Sequence, residues 1–303
     1  MTNAANPLVR DAEADWPDPG PAWKQRARRL CDATAIRLAR AHVPSALALL
    51  GAAGRAANFS SILSPSTSEV AALFHWLPRG DLGRVARSIA ALHLKNRAAI
   101  ALVQDGRTAD LARLVRWSDD ARRADLMDGS QSTVIAACHV GAFFGIRAAL
   151  HGLNRPVFMM RDLAMPDAVS RASLFKRALE ALRAGELVVA TLDGPGGIST
   201  REVTCLGRHI VLRRGAFALA RMTGARIVPV TCAWTRRSRI DVRIAPPINR
   251  PDQANHALAD FEHEMAAGAA RWLDGYLRAE PHEIWPSTLR NYLAAPQSPQ
   301  GAS

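Results

Sequence analysis

Cysteine is scarce in this chain of 303 residues, where Cys31, Cys138, Cys205 and Cys232 stand far apart. They form no CxxC pair, and no histidine sits at metal-ligand spacing from them, which argues against a bound zinc and against a disulfide framework. A reducing compartment follows, and no metal is expected. Long apolar runs are also missing: the most apolar early stretch, Val43 to Ala53, falls short of the roughly 20 residues that a bilayer-spanning helix needs. Met1 to Pro7 begin the chain without an apolar h-region, so no secretory signal is expected. If the protein meets a membrane, it lies on it as a peripheral protein, on the cytoplasmic face. Aromatic residues make up 6% of the chain, with only two tyrosines, and no zinc-finger spacing, RNA-recognition motif or helix-turn-helix is evident. Nucleic acid is therefore not an expected partner.

Positive charge is abundant. Lys and Arg number 39 against 27 Asp and Glu, a formal charge of +12, so partners carrying negative charge, an anionic membrane surface among them, are expected. Arginine supplies nearly all of the excess, and its planar fork suits phosphate and carboxylate oxygens. GC-rich codon usage would also enrich Arg and Ala, so charge alone carries little weight. The densest stretch holds Arg201, Arg208, Arg213, Arg214, Arg221, Arg226, Arg236, Arg237, Arg239, Arg243 and Arg250, with Glu202 and Asp241 as its only acids. It reads either as a basic face or as ordinary solvated strand and helix faces.

About half of the residues are apolar, enough for a sizeable core. Residues 1–20 and 296–303 are polar and proline-containing and read as loose tails. Across 21–130 the apolar spacing is helical, as at Leu30, Ala33, Ile36, Leu38 and Ala41. Ser66-Thr-Ser-Glu69 offers a capping box, and Asp81 a cap for a helix beginning near Leu82. From 131 to 295 the pattern changes. Short β-branched runs at Thr133 to Cys138, Pro156 to Met160, Leu187 to Leu192, Ile227 to Ala233 and Arg239 to Ile244 alternate with helical segments at Gly141 to Leu153, Pro166 to Ala184, Leu212 to Thr223 and about Gln253 to Arg278. This alternation predicts an α/β core, a mixed and largely parallel sheet flanked by helices, preceded by an α-helical N-terminal region.

Sites in such sheets form outside the carboxyl ends of the strands. Two loops fall there: His139-Val-Gly141 and Asp193-Gly-Pro-Gly-Gly197. The imidazole of His139 is thus placed for general-base work, or else hydrogen-bonds a neighbouring carbonyl. Cys138, its neighbour on the strand, points to the opposite face and reads as core.

The run Val134-Ile-Ala-Ala-Cys-His-Val-Gly-Ala-Phe-Phe144 resembles the strand and His-Phe-Gly-Asn-x-Glu block of the late lipid A biosynthesis acyltransferases, within the wider glycerol-phosphate acyltransferase-like superfamily. Leu179 to Asp193 resembles their Leu-Lys-x-Gly-Glu helix and strand, and Leu206 to Val230 their Phe-Gly … Gly-Ala-x-Val-Val-Pro-Val pattern. Order and spacing agree from roughly residue 65 to 290. The resemblance implies transfer of an acyl chain from acyl carrier protein or coenzyme A, as co-substrate with no bound cofactor, to a hydroxyl or amine of a lipid or sugar-like acceptor. By position His139 is the general base of a His-x4-Asp/Glu motif. Gly141, Phe143 and Phe144 would line the substrate site, or pack in the core.

At the position of the motif acid stands Phe144, which can neither accept a hydrogen bond nor offset imidazolium charge. Asp193 is the first candidate to replace it, with Asp162 the weaker one; an Asp-Gly turn residue is the plainer reading of Asp193. A homologue that binds acyl chains or acyl carrier protein without turnover is the alternative. Gly194, in a loop that stands where related glycerolipid enzymes contact phosphate, and Arg161, after the second expected strand, are candidates for holding an anionic group.

Overall fold

A computed structural model describes residues 22–56, 65–151, 153, 155–160, 168–193, 200–248 and 258–295. The expected tails at 1–20 and 296–303, together with Arg161, Asp162 and Gly194, lie outside the described residues.

The N-terminal region is built from helices α1 (Ala22–Ala41), α2 (Val43–Arg55), α3 (Thr67–Leu73), α4 (Arg79–Gln104) and α5 (Thr108–Ala112). Helix α3 starts at the expected capping box: Ser66 Oγ accepts from the Glu69 N–H, and the Glu69 carboxylate accepts from the Ser66 N–H. Asp81 is not a cap. Helix α4 begins three residues before Leu82, at Arg79, because Pro78 supplies the entry; Asp81 sits in its first turn and pairs with Arg84. Nor is this region wholly helical: β1 (Val115–Trp117), too short to show periodicity, pairs with a strand from the far end of the chain. A short α6 (Asp120–Met127), capped by Asp119, completes the region.

The core is a six-stranded sheet in the order β1-β8-β7-β2-β4-β3, with β2 (Thr133–Ala137), β3 (Val157–Met159), β4 (Leu187–Thr191), β7 (Arg226–Trp234) and β8 (Ile240–Ile244). All pairings are parallel except β7 with β8. Between these strands lie α7 (Gly145–Leu150), α8 (Ala168–Arg183), the hairpin of β5 (Thr200–Cys205) and β6 (Arg208–Arg213), and α9 (Gly215–Thr223). The described residues close with α10 (Leu258–Ala279), a 3-10 turn (Pro281–Glu283) and α11 (Pro286–Ala294). The α/β architecture with a mixed, largely parallel sheet is thus as the alternation predicts. The β5–β6 hairpin is not: the Leu212 to Thr223 segment is strand up to Arg213 and helix only from Gly215.

Every residue of β2 is buried, because helices cover both faces of the sheet. Val134, Ala136 and Cys138 pack on one side with Val188, Ala190, Phe217, Phe261 and Leu273. Ile135 and Ala137 pack on the other with Val189, Val228, Leu47 and Leu94, so the N-terminal helices share a core with the sheet. At the amino end the buried Arg155 donates to the carbonyls of Leu126, Asp128, Gln131 and Gly185, tying the approaches to β2 and β4 together. These two strands, held side by side in register from Thr133↔Leu187 to Ala137↔Thr191, bring their following loops to one place. Among the described residues no helix is long and apolar enough to cross a membrane.

Candidate active site

His139 lies two residues beyond β2 and Asp193 two beyond β4, so parallel pairing sets them on adjacent strand ends. His139 Nδ1 is 3.0 Å from Asp193 Oδ1, and the His139 backbone N–H donates to both carboxylate oxygens at 2.9 Å. A carboxylate only accepts, so Nδ1 carries the proton in this contact and Nε2 keeps its lone pair. The aspartate is buried while the imidazole is 22% exposed. One group is fixed in the protein and the other reaches outward. Asp193 is thus no mere turn residue: its carboxylate crosses between strands to the histidine.

The turn after His139 is held at almost every backbone polar group. Thr288 Oγ donates to the His139 carbonyl, Gly141 N–H to the Glu283 carbonyl and Ala142 N–H to the Cys232 carbonyl. The Gly141 carbonyl accepts from both Asn96 Nδ2 and Trp285 Nε1 at 2.8 Å, and Asn96 Oδ1 accepts in turn from Trp234 Nε1. Gly141 adopts φ +56°, and a Cβ there would stand 2.0 Å from the Cys232 oxygen. Both facts require glycine. The helix expected from Gly141 therefore starts only at Gly145.

Aromatic rings frame the imidazole. Phe143 stacks on it with centroids 4.7 Å apart, and Trp285 meets it edge-on at 5.4 Å. Phe144 turns away to pack against Phe143 and Trp285, in an apolar cluster with Leu92, Ile100 and Trp234. Phe144 is thus part of a hydrophobic wall beside the site.

Beneath the turn lies Glu283, fully buried, with Oε2 lacking a hydrogen-bond partner. Burial, reinforced by Glu280, pushes its carboxyl up to about 8, against the pull of Arg243 and Lys95. Lys95, also buried, is pushed down to about 8 by desolvation and by Arg55, with Glu283 opposing. Cys138 faces the other side of β2 in the core, its thiol raised by burial, and is not a nucleophile.

The arginine-rich stretch divides. Arg226 binds Asp125, Arg243 binds Glu280, and Arg201 and Arg214 share Glu262. Arg236, Arg237 and Arg239 are exposed on the β7–β8 turn, which follows the carboxyl end of β7 and so lies at the same end of the sheet as His139. Arg250 lies outside the described residues. Trp285, Asn96, Thr288 and Glu283 belong to the site but carry no motif; the one sequence signal is Asn96, a polar residue on an otherwise apolar face of a helix. Among the described residues no group of three or more His, Cys, Asp or Glu is arranged to hold a metal.

Fold and site together define an α/β protein with a histidine–aspartate pair at the carboxyl end of a parallel sheet. No protein-family model matches the chain, and no curated protein matches it.

Proposed function

We propose that the protein is a peripheral membrane acyltransferase, related to the late lipid A biosynthesis enzymes, working on the cytoplasmic face of a bacterial membrane. The observation that carries this reading is the contact of His139 Nδ1 with Asp193 Oδ1, which supplies the acid that the His-x4-Phe144 sequence lacks. His139 Nε2 takes the proton of the acceptor hydroxyl or amine as its oxygen or nitrogen bonds to the thioester carbonyl. The C–S bond then breaks, and the proton passes from the imidazolium to the leaving thiolate of acyl carrier protein or coenzyme A. Asp193 keeps the productive tautomer and offsets the positive charge that forms on the ring, as the third member of a triad does. Phe143, Phe144 and Trp285 give the acyl chain an apolar surface beside the reacting atoms.

A second reading, an acyl-binding protein without turnover, is favoured by one feature: Phe143 covers a face of the imidazole. Incubating purified protein with acyl-carrier and coenzyme A thioesters and total membrane lipid separates the two. Acylated product that disappears with His139→Ala supports the enzyme; thioester binding without product supports the second reading.

A further inference from the structure

We infer that Arg201 and Arg214 form an anion clamp that takes the phosphate group of a substrate at this same site, an inference that rests on the acyl-transfer reading. Arg201 from β5 and Arg214 at the head of α9 converge on Glu262 of α10, a residue with no exposed surface. Arg201 Nη2 and Arg214 Nε lie 2.6 and 2.5 Å from the same carboxylate oxygen, Oε2, while Oε1 has no partner. Among the described residues, two guanidinium groups on one carboxylate leave one positive charge without an ion-pair partner. The shared carboxylate ties β5, α9 and α10 together, but it neutralises only one of the two cations, and a half-buried surplus charge is costly without a counter-charge. The side chains of Arg201 and Arg214 remain 25% and 34% exposed, so an incoming anion has access to them.

Two further features point the same way. Helix α9 opens at Arg214 with no side-chain cap, so the positive end of a nine-residue helix lies beside the same guanidinium. The location also fits. The Arg213 N–H donates to the Leu192 carbonyl, next to Asp193, and Gly215 approaches Met160 at the end of β3. Since β4 and β3 are the first and second strands beyond β2, the segment that carries Arg214 enters its helix along the line of strand ends that carries His139 and Asp193. A phosphate held there leaves the rest of its molecule within reach of His139. Phosphate recurs in the arm of a coenzyme A or carrier-protein donor and in the headgroup of a phospholipid acceptor; the clamp recognises the chemistry common to both.

The test is calorimetric binding of coenzyme A and, separately, of monomeric dihexanoyl phosphatidic acid, to the full chain and to three variants. Arg201→Gln and Arg214→Gln should each weaken binding of one probe at least tenfold; the probe affected identifies the donor or the acceptor as the source. Glu262→Gln keeps the shape and frees both guanidinium groups, so it should tighten that probe's binding even as it lowers the melting temperature. A purely structural tie gives the opposite pattern for Glu262→Gln, lower stability with affinity unchanged or lost. Equal affinities across all variants, or no binding of either probe by the wild-type chain, overturn the clamp. Loss of acyl transfer in His139→Ala with probe binding retained would separate a failure of the clamp from a failure of the catalytic reading.

Discussion

At Asp193 a single side chain accepts from the backbone and from the ring of the same histidine, and this double use sets what each substitution can do. Asp193→Asn retains one carbonyl oxygen for the His139 N–H, but its amide cannot also accept from Nδ1 without turning its donor toward the backbone donor. The imidazole then loses its tautomer and its counter-charge. Turnover should fall on the order of 10²- to 10⁴-fold with KM little changed, because the imidazolium exists only in the transition state. Steady-state kinetics on the folded variant check this, and an unaltered kcat would mean that Asp193 is only a fastener of the turn. Phe144→Glu is the companion experiment. Asp193 already occupies Nδ1 and Phe144 packs against Phe143 and Trp285, so the new carboxylate replaces an apolar contact. It should lower stability by about 1–3 kcal/mol in urea denaturation and leave the rate no higher. A gain in rate would show that the motif position still addresses the histidine.

The turn between β2 and α7 shows how much of an element is set by residues distant in sequence. Gly141→Ala would drive a methyl into the Cys232 carbonyl in a left-handed backbone conformation, costing about 3 kcal/mol or more, and should cut both stability and activity. Glu283, under the same turn, gives the element a pH dependence. An acid whose pKa is raised on folding binds its proton more tightly in the folded chain, so stability declines as pH climbs from 4.5 to about 8. Lys95, depressed from 10.5 to about 8, restores stability only above that range. Glu283→Gln cannot ionise and should flatten the fall in melting temperature between pH 5 and pH 8. An unchanged slope would place the titrating group elsewhere. The strands that position His139 and Asp193 are legible in the sequence because both end long β-branched runs whose two faces are buried. So is the candidate acid, since it closes the neighbouring run. Trp285 and Thr288 are not legible, because they reach Gly141 and His139 across 144 and 149 positions through hydrogen bonds that leave no periodic trace. The β5–β6 hairpin escaped for a related reason: its exposed Val211 and its arginines break the apolar alternation that marks a strand.

Across the whole molecule, the formal charge of +12 matters less than where its unpaired portion lies. Arg226 and Arg243 each pair with an acid of the fold and Arg201 and Arg214 share one, whereas Arg236, Arg237 and Arg239 are exposed on the β7–β8 turn. Because β7 runs parallel to β2, that turn and the candidate active site share one end of the sheet. A protein that approaches an anionic bilayer through this turn would bring the site mouth toward the lipid, the orientation that a membrane acceptor requires. Binding to phosphatidylglycerol vesicles should weaken about five-fold for each of the three arginines replaced by Gln. It should also fall steeply with salt, since exposed charges are screened beyond about 10 Å at 0.1 M. Co-sedimentation at low and high salt measures both effects. The triple variant should retain the turnover of the wild type on a soluble, short-chain acceptor and lose it on acceptor embedded in vesicles. Vesicle binding indifferent to salt and to these arginines would instead assign the membrane contact to apolar insertion, with the exposed Leu30 and Leu49 of α1 and α2 the side chains to replace next.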